Sequence, residues 1–207
     1  MGSEMCIRDR YAAEQDREDA ALKRNDWKGN QANLDPARLV FLDESGVDTG
    51  MTRLYGRAAS HNRVREGMPD TRFHRTTIVS SVRLDGTTIP MVFEGALNGE
   101  TFRMYVSQML IPSLKPGDIV IMDNLSSHKV SGVSEAIEAA GASVLYLPPY
   151  SPDLNPIELM WSKIKAVLRK LKVRSKDLLD AAIACAFDFV SCADILAWFA
   201  HDRYALC

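Results

Sequence analysis

Apolar positions along this chain fall into short runs of β type and longer stretches with helical spacing. The β-type runs, each bounded by turn residues, cover 39–42, 76–82, 88–93, 118–123 and 143–147. Helical spacing covers 100–114, 133–140, the stretch that Pro156 opens, and 177–206. Residues 84–86 give a hairpin turn between the second and third runs. The order predicts an α/β fold, in which a mixed sheet begins with three antiparallel strands and is then flanked by alternating helices.

Acidic residues lie where several of these elements begin or end. Asp43 and Glu44 follow the first strand, before a turn signal at Ser45-Gly46. Because successive strand residues face opposite sides, only one of the two can point into a given site, and we expect Glu44 to turn away. Asp123 ends the fourth strand. After the turn-rich stretch 148–153, Asn155 is a candidate N-cap and Pro156 the first helical residue, so Glu158 falls at the third position.

Glu158 has two interpretations. It can complete a capping box with Asn155, a purely structural role. Alternatively it heads a cationic face, because a helical spacing of about 100° per residue aligns one set of polar side chains: Glu158, Ser162, Lys165, Arg169 and Lys172. The apolar stripe beside it consists of Ile157, Met160, Trp161, Ile164, Leu168 and Leu171. A carboxylate at the head of a cationic face suits a site that handles a phosphate backbone.

Composition describes an ordinary single domain. The 207 residues are 46% hydrophobic and 25% charged, with no apolar run of the roughly 18 residues that a bilayer requires and no signal-peptide pattern. We therefore expect a cytoplasmic protein without a membrane partner. The four cysteines show no CxxC spacing, which argues against a zinc site or disulfides. We expect Cys185 and Cys192 to be small buried thiols.

The net charge of −2 conceals a strong segregation of charge. Residues 51–75 contain six arginines and two histidines against two acids, and residues 158–176 contain seven Lys or Arg against one Glu. Either run alone is typical of a solvated surface. Together they favour nucleic-acid binding, and the candidate DNA contacts are Arg57, Arg63, Arg65, Lys165, Arg169 and Lys172.

The N-terminal part differs from the rest. We expect residues 1–10 to be non-native, and residues 11–28, which are polar with few large apolar side chains, to form an exposed helix or connector. The predicted division is an arm at 1–34 and a catalytic domain with C-terminal helices at 35–207. His201 and Tyr204, near the end of the last helical stretch, are expected to be packing or surface residues.

Three blocks of sequence carry a family resemblance: LDESG at 42–46, MDNLSSHK at 122–129 and PPYSPDLNPIELMWSKIK at 148–165. They resemble the signatures of DDE transposases of bacterial insertion sequences in the mariner-related superfamily. The 34 residues between Asp123 and Glu158 also resemble one subclass of that superfamily. The resemblance implies a ribonuclease H-like fold, a metal-binding triad of Asp43, Asp123 and Glu158, and two Mg²⁺ or Mn²⁺ ions. It further implies cleavage of DNA at transposon ends and transfer of the freed strand to target DNA.

Residue by residue, the resemblance assigns Asp43 to both ions, Asp123 to one and Glu158 to the other. Asn124 and His128 would lie nearby as supporting or DNA-contact residues, although His128 also suits a loop residue bonded to backbone. Asp153 would orient the loop. The expected partners are double-stranded DNA and a second copy of the chain in a homodimer.

The sequence departs from the family pattern at both ends. No helix-turn-helix pattern fits before Asp35, so we expect another segment or chain to supply that part, and the tail WFAHDRY lacks the usual glycine. Two alternatives stay open at this point. One is a ribonuclease H-like nuclease acting on another nucleic acid, such as an RNA–DNA hybrid, and the other is a catalytically decayed DNA-binding remnant.

Overall fold

The computed structural model describes residues 13–53, 63, 65, 67, 73–125 and 128–204. It contains one mixed sheet with the strands β1 (Leu39–Asp48), β2 (Arg75–Arg83), β3 (Met91–Glu94), β4 (Ile119–Met122) and β5 (Ser143–Tyr146). The spatial order is β3-β2-β1-β4-β5. The first three strands pair antiparallel, whereas β4 runs parallel to both β1 and β5. The predicted α/β class and the antiparallel start are therefore confirmed.

Six α-helices accompany the sheet in the described part of the chain: α1 (Glu18–Gln31), α2 (Gly99–Tyr105), α3 (Val133–Ala139), α4 (Pro156–Leu171), α5 (Lys176–Asp188) and α6 (Cys192–His201). The α2 helix continues as a π-helical turn, Val106–Leu110, and a 3₁₀ turn, Ile111–Ser113. Within the described ranges no single helix is long and apolar enough to span a bilayer. The α5 and α6 pair reaches that length and composition only together, with a bend of 74° between them.

Alternation along β1 divides the core into two layers. Leu39 and Phe41 pack on one face of the sheet with the apolar sides of α4, α5 and α6. Val40 and Leu42 point to the opposite face, where they pack with α2 and α3. The sheet is thus covered by helices on both sides. Because side chains alternate along a strand, the position of each further residue of β1 determines which face of the sheet its side chain is on.

The structure corrects several local predictions. The signal at Ser45-Gly46 is not a turn, because β1 continues to Asp48 and Gly46 pairs with Thr77 of β2. Cys185 and Cys192 lie in separate helices and are exposed rather than buried.

The end of α4 also differs from its predicted pattern. Leu171 is 47% exposed, so the apolar stripe stops at Leu168. Lys172 follows the helix in a left-handed conformation with φ 53°, and helical periodicity therefore does not aim its side chain along the face of Lys165 and Arg169.

The α1 helix is polar and largely exposed, as expected, but it is not a free connector. It buries only Ala20, Arg24 and Gln31. Gln31 donates to the backbone oxygen of Asp202, and Trp27 donates through Nε1 to the Tyr204 hydroxyl at 2.9 Å. The helix is therefore attached to the chain beyond α6 by specific polar contacts, and Tyr204 is the packing residue that the sequence predicted.

Candidate active site

Two of the predicted acids lie side by side because of strand register. Leu42 of β1 pairs with Met122 of β4 in parallel register, so Asp43 and Asp123 are the next residues along neighbouring strands. Asp43 continues the phase of Leu39 and Phe41 and faces α4. The carboxyl ends of parallel strands meet at one edge of a sheet, which is where α/β proteins commonly form their sites.

The third acid comes from the start of α4. Pro156 is the first helical residue and Glu158 the third, as predicted. The capping box is not formed, because the Asn155 side chain makes no capping bond and the Glu158 amide donates to the Asn155 backbone oxygen instead. Asn155 Oδ1 is buried without a hydrogen-bond partner. The capping role first considered for Glu158 is thus excluded, and the residue lines the cavity instead.

Asp43, Asp123 and Glu158 line one cavity of about 400 Å³ together with Asn124 and Asn155. The rest of the wall is formed by Leu125 and the stretch 147–152. In their present rotamers, no three His, Cys, Asp or Glu side chains of the described residues are close enough to hold one metal ion jointly. Asp43 and Asp123 both face protein donors.

Asp43 is the most buried acid of the cavity, with 7% of its surface exposed. Its Oδ1 accepts from the Glu44 amide at 2.8 Å, and its Oδ2 accepts from Trp161 Nε1 at 3.2 Å. Burial raises the pKa of Asp43 well above its ordinary range. The negative charges of Glu158, Glu44 and Asp123 raise this pKa further, against the effect of the Glu44 amide. The site therefore holds more negative charge than its protein donors offset.

Glu158 shares this environment. Desolvation raises its pKa above the ordinary value, and the charges of Asp123 and Glu44 act in the same direction. The Lys165 ammonium opposes them. Lys165 lies two helical turns beyond Glu158 on α4.

His128 joins Asp123 to Glu44. The imidazole is completely buried, tilted against the Phe102 ring at 4.7 Å, and its Nε2 lies 2.9 Å from Glu44 Oε2. Its Nδ1 lies 2.6 Å from Asp123 Oδ1, a close ionic contact whose angle falls short of a regular hydrogen bond. Burial alone would lower the pKa of His128, but the two carboxylates outweigh burial and raise this pKa to about 10.

This arrangement revises the expected place of Glu44. Asp43 and Glu44 do point to opposite faces of the sheet, yet Glu44 remains connected to the site through His128. The interpretation of His128 as a loop residue bonded to backbone is wrong. Sequence reasoning missed this connection because Glu44 and His128 are 84 positions apart.

The loop between β5 and α4 is held from outside by α1. Arg24 donates through Nη1 to the Tyr150 oxygen at 3.1 Å and to Ser151 Oγ at 2.7 Å. It also forms a two-pronged pair with Asp153, with distances of 2.9 and 2.7 Å. Desolvation acts to raise the pKa of Asp153, but the bonds and charge of Arg24 lower it overall. Asp153 is thus tied to α1 in the turn before α4, and its role in orienting the loop stays a prediction.

The remaining predicted residues are less closely tied to the cavity. Asn124 is exposed in the cavity wall, and its Nδ2 donates to the Leu147 oxygen at 3.4 Å. Arg169 is half-buried on α4, and Arg63 and Arg65 are exposed. Arg57 lies outside the described residues, as does most of the basic segment 51–75.

The sequence that forms this cavity matches a known protein family. Residues 38–180, most of the chain, match the DDE superfamily endonuclease family. The chain belongs to the DDE superfamily endonucleases. The matched range includes Asp43, Asp123 and Glu158. It excludes α1, α6 and the part of α5 after residue 180. A comparison with curated protein sequences gives no significant match.

Solved structures share the fold of this DDE superfamily endonuclease. The Mos1 transposase paired-end complex with left transposon end superposes with a TM-score of 0.79 at 15% identity, covering 99% of this chain and 65% of that one. The Mos1 mariner paired end complex with Mn gives 0.76 at 15% identity, with coverages of 99% and 65%. The catalytic domain of Mos1 mariner transposase gives 0.66 at 14% identity, with coverages of 96% and 94%.

The sheet and its helices therefore have the ribonuclease H-like fold of that catalytic domain. The chain spans 65% of the length of the Mos1 chain in the paired-end complex.

Proposed function

We propose that this chain is the catalytic domain of a transposase, which cuts DNA at transposon ends and joins the freed strand to target DNA. The observation that carries the proposal is the shared cavity of Asp43, Asp123 and Glu158, with Asp43 buried among like charges. Membership of the DDE superfamily endonucleases and the fold shared with Mos1 complexes support it. The intact set of three acids argues against a decayed remnant.

The donor chemistry of the cavity suits a hard divalent cation. Three carboxylates offer oxygen ligands, the kind that Mg²⁺ and Mn²⁺ prefer over the nitrogen and sulfur favoured by zinc. Asp43 would contribute to two ions, Asp123 to one and Glu158 to the other. When bound, such ions supply an activated water and stabilise the charge that develops at phosphorus.

Protein side chains would fix these carboxylates. Trp161 holds Asp43 from the α4 side, while His128 neutralises Asp123 from the opposite side. These contacts leave both carboxylates with further lone pairs, because an ionised carboxylate has about four acceptor positions. The protein would thus orient two of the three acids before a substrate arrives, a general requirement for precise catalysis.

A DNA strand entering the cavity would pass along α4. Lys165 acts electrostatically on Glu158, and Arg169 follows it by one further turn on the same face. Arg57, Arg63 and Arg65 are proposed to contact the duplex from another side. Mos1 has been solved in paired-end complexes, which supports a homodimer with double-stranded DNA as the active form of this protein. Nucleoid association would follow from DNA binding.

The test is a cleavage assay in Mg²⁺ or Mn²⁺. The substrates are a DNA duplex carrying the inverted repeat that flanks the coding sequence and an RNA–DNA hybrid of the same sequence. We expect cleavage of the DNA duplex only, and its loss in Asp123→Asn with DNA binding retained. Preferential cleavage of the hybrid would identify a nuclease of the ribonuclease H type instead, and no cleavage of either substrate by the wild type would contradict the proposal.

A further inference from the structure

Arg24 is a buried cation on an otherwise polar, solvated helix. Only three of the residues of α1 are buried, and Arg24 keeps 8% of its surface exposed. Arginine is seldom buried this far unless it is paired, because removing a charge from water is costly. The partners of Arg24 all lie in one segment, Tyr150–Asp153, more than 120 positions along the chain.

The backbone of that segment is strained at its first residue and enters a 3₁₀ turn, Pro152–Leu154, at its end. Tyr150 adopts a left-handed conformation with φ 56°, which disfavours a bulky side chain. Its carbonyl oxygen accepts from both Arg24 and Gln15, the latter at 2.7 Å. Two donors from the N-terminal part of the chain therefore meet at the strained residue.

The same segment borders the carboxylate cavity and leads directly into α4. Residues 147–152 line the cavity, and Pro156 and Glu158 follow within the next turn. The Asn155 side chain does not cap the helix. Without that local capping bond, the helix start is held by the burial of Ile157, by the bond from the Tyr204 hydroxyl to the Leu154 oxygen, and by the contacts of the preceding loop with Arg24.

We propose that Arg24 is a positioning residue for the active site, which fixes the loop Tyr150–Asp153 and thereby the location of Glu158 at the cavity. Arginine suits this role because its planar fork reaches a carbonyl, a hydroxyl and a carboxylate at once, whereas the lysine ammonium is a compact point charge. Arg24 precedes the range that matches the DDE superfamily endonucleases. The role of Glu158 itself rests on the function proposed above.

The experiment compares Arg24→Met, Arg24→Lys and Asp153→Asn with the wild type by two measurements. The first is the affinity for Mn²⁺ alone, and the second is amide hydrogen exchange of residues 148–158 without metal. Loss of a residue that orients a metal ligand typically weakens metal binding about 10–100-fold, which we expect for Arg24→Met. Exchange of the loop should accelerate in the same variant. Arg24→Lys should fall between it and the wild type, and Asp153→Asn should show the same changes more weakly.

Arg17→Met is the matched control, because Arg17 forms an exposed surface pair with Asp19 beside the same helix. It should leave both measurements unchanged. If Arg24→Met lowers the melting temperature but keeps wild-type Mn²⁺ affinity and loop exchange, Arg24 is merely structural and the inference is wrong. If Arg24→Met does not fold, Arg24→Lys and Asp153→Asn decide by the same criteria. A wild type that binds no Mn²⁺ contradicts the proposed function, whereas the exchange data still test the positioning role.

Discussion

His128 is the residue on which the electrostatics of the site depend most directly. Its imidazole separates Asp123 from Glu44, and at neutral pH it is the buried cation between two carboxylates. Glu44 keeps 20% of its side-chain surface exposed and Asp123 keeps 35%. The interaction is therefore weaker than in a fully buried cluster.

Replacing His128 with alanine should therefore destabilise the protein by about 2–3 kcal/mol, slightly less than the loss of one partner from a fully buried pair. Cleavage should also be lost, because Asp123 and Glu44 then face one another without a cation. Urea unfolding and the cleavage assay measure the two effects. His201→Ala is the control, since His201 is an exposed histidine paired with Asp202 away from the cavity. If both substitutions had equal effects on stability and cleavage, the contacts of His128 would contribute no more than those of a surface histidine.

Asp202 makes the stability of the fold depend on pH, separately from the acids of the cavity. Burial raises its pKa to about 6, with a further contribution from Asp153 and an opposing one from His201. Its Oδ2 has no hydrogen-bond partner. Since the folded-state pKa exceeds the unfolded value, stability is fully present below about pH 4 and decreases as pH rises through about 6.

Asp202→Asn removes this penalty. At pH 7.5 the variant should be more stable than the wild type by about 1–3 kcal/mol, because the pKa of Asp202 is about 6 in the folded protein and about 4 in the unfolded chain. The difference should shrink or reverse toward pH 4, where the wild-type carboxyl is protonated. Urea unfolding of both proteins at the two pH values provides the measurement, and a gain that does not vary with pH would disagree with it.

At the scale of elements, α4 combines three functions along one sequence. Its first turn carries Glu158, and its polar face carries Lys165 and Arg169. In its apolar stripe, Trp161 donates a hydrogen bond to Asp43. Each phosphate contact contributes a slope of about −0.9 in log K against log salt concentration.

The double substitution Lys165→Ala/Arg169→Ala should therefore flatten the salt dependence of DNA binding by up to about 2 units. Metal binding should persist. Lys163→Ala is a matched control on the same helix, because Lys163 points away from this face and pairs with Asp194 of α6. Fluorescence anisotropy over a salt series measures the slope, and an equal effect of the control would indicate a general charge effect rather than a DNA path.

Elements with strong local signals were predictable from the sequence. The β-branched run of β4, the hairpin between β2 and β3, and the start of α4 at Pro156 were all found from patterns within a few residues. Asp123 was placed correctly from the end of β4, whereas Asp43 was predicted to follow a strand and lies within β1. Local patterns failed for β1 beyond Glu44, because its continuation depends on pairing with β2 about thirty positions away.

The contacts that complete the site had no local signal. Arg24 meets Asp153 across 129 positions, and His128 meets Glu44 across 84. In the sequence Arg24 is one more charged residue on a polar helix, and only the fold reveals that it is buried. The long-range polar contacts thus account for most of what sequence analysis missed.

At the scale of the whole molecule, the cavity concentrates negative charge that a divalent ion would offset. Ion binding at about ten times the dissociation constant should stabilise the fold by about 1.4 kcal/mol. In a domain of this size such a gain raises the melting temperature by about 3–6 °C. Differential scanning fluorimetry with Mg²⁺ and Mn²⁺ measures the shift.

Asp43→Asn should separate charge repulsion from metal binding. Without metal the variant should melt at a higher temperature than the wild type, because it lacks a buried carboxylate among like charges. With metal it should gain little further. A variant that keeps the full metal-dependent shift would show that the ions bind elsewhere.

The distribution of the site along the chain has a consequence during synthesis. A polypeptide leaves the ribosome N-terminus first, so Arg24 and Asp43 emerge early and Asp123 later, all before Asp153 and Glu158. Until residues 150–158 have been made, α1 has no loop to hold and the cavity lacks its third carboxylate. On the proposed function, a nascent chain or a product of premature termination before residue 158 cannot cut DNA, and the host genome meets a nuclease only after most of the chain has been translated.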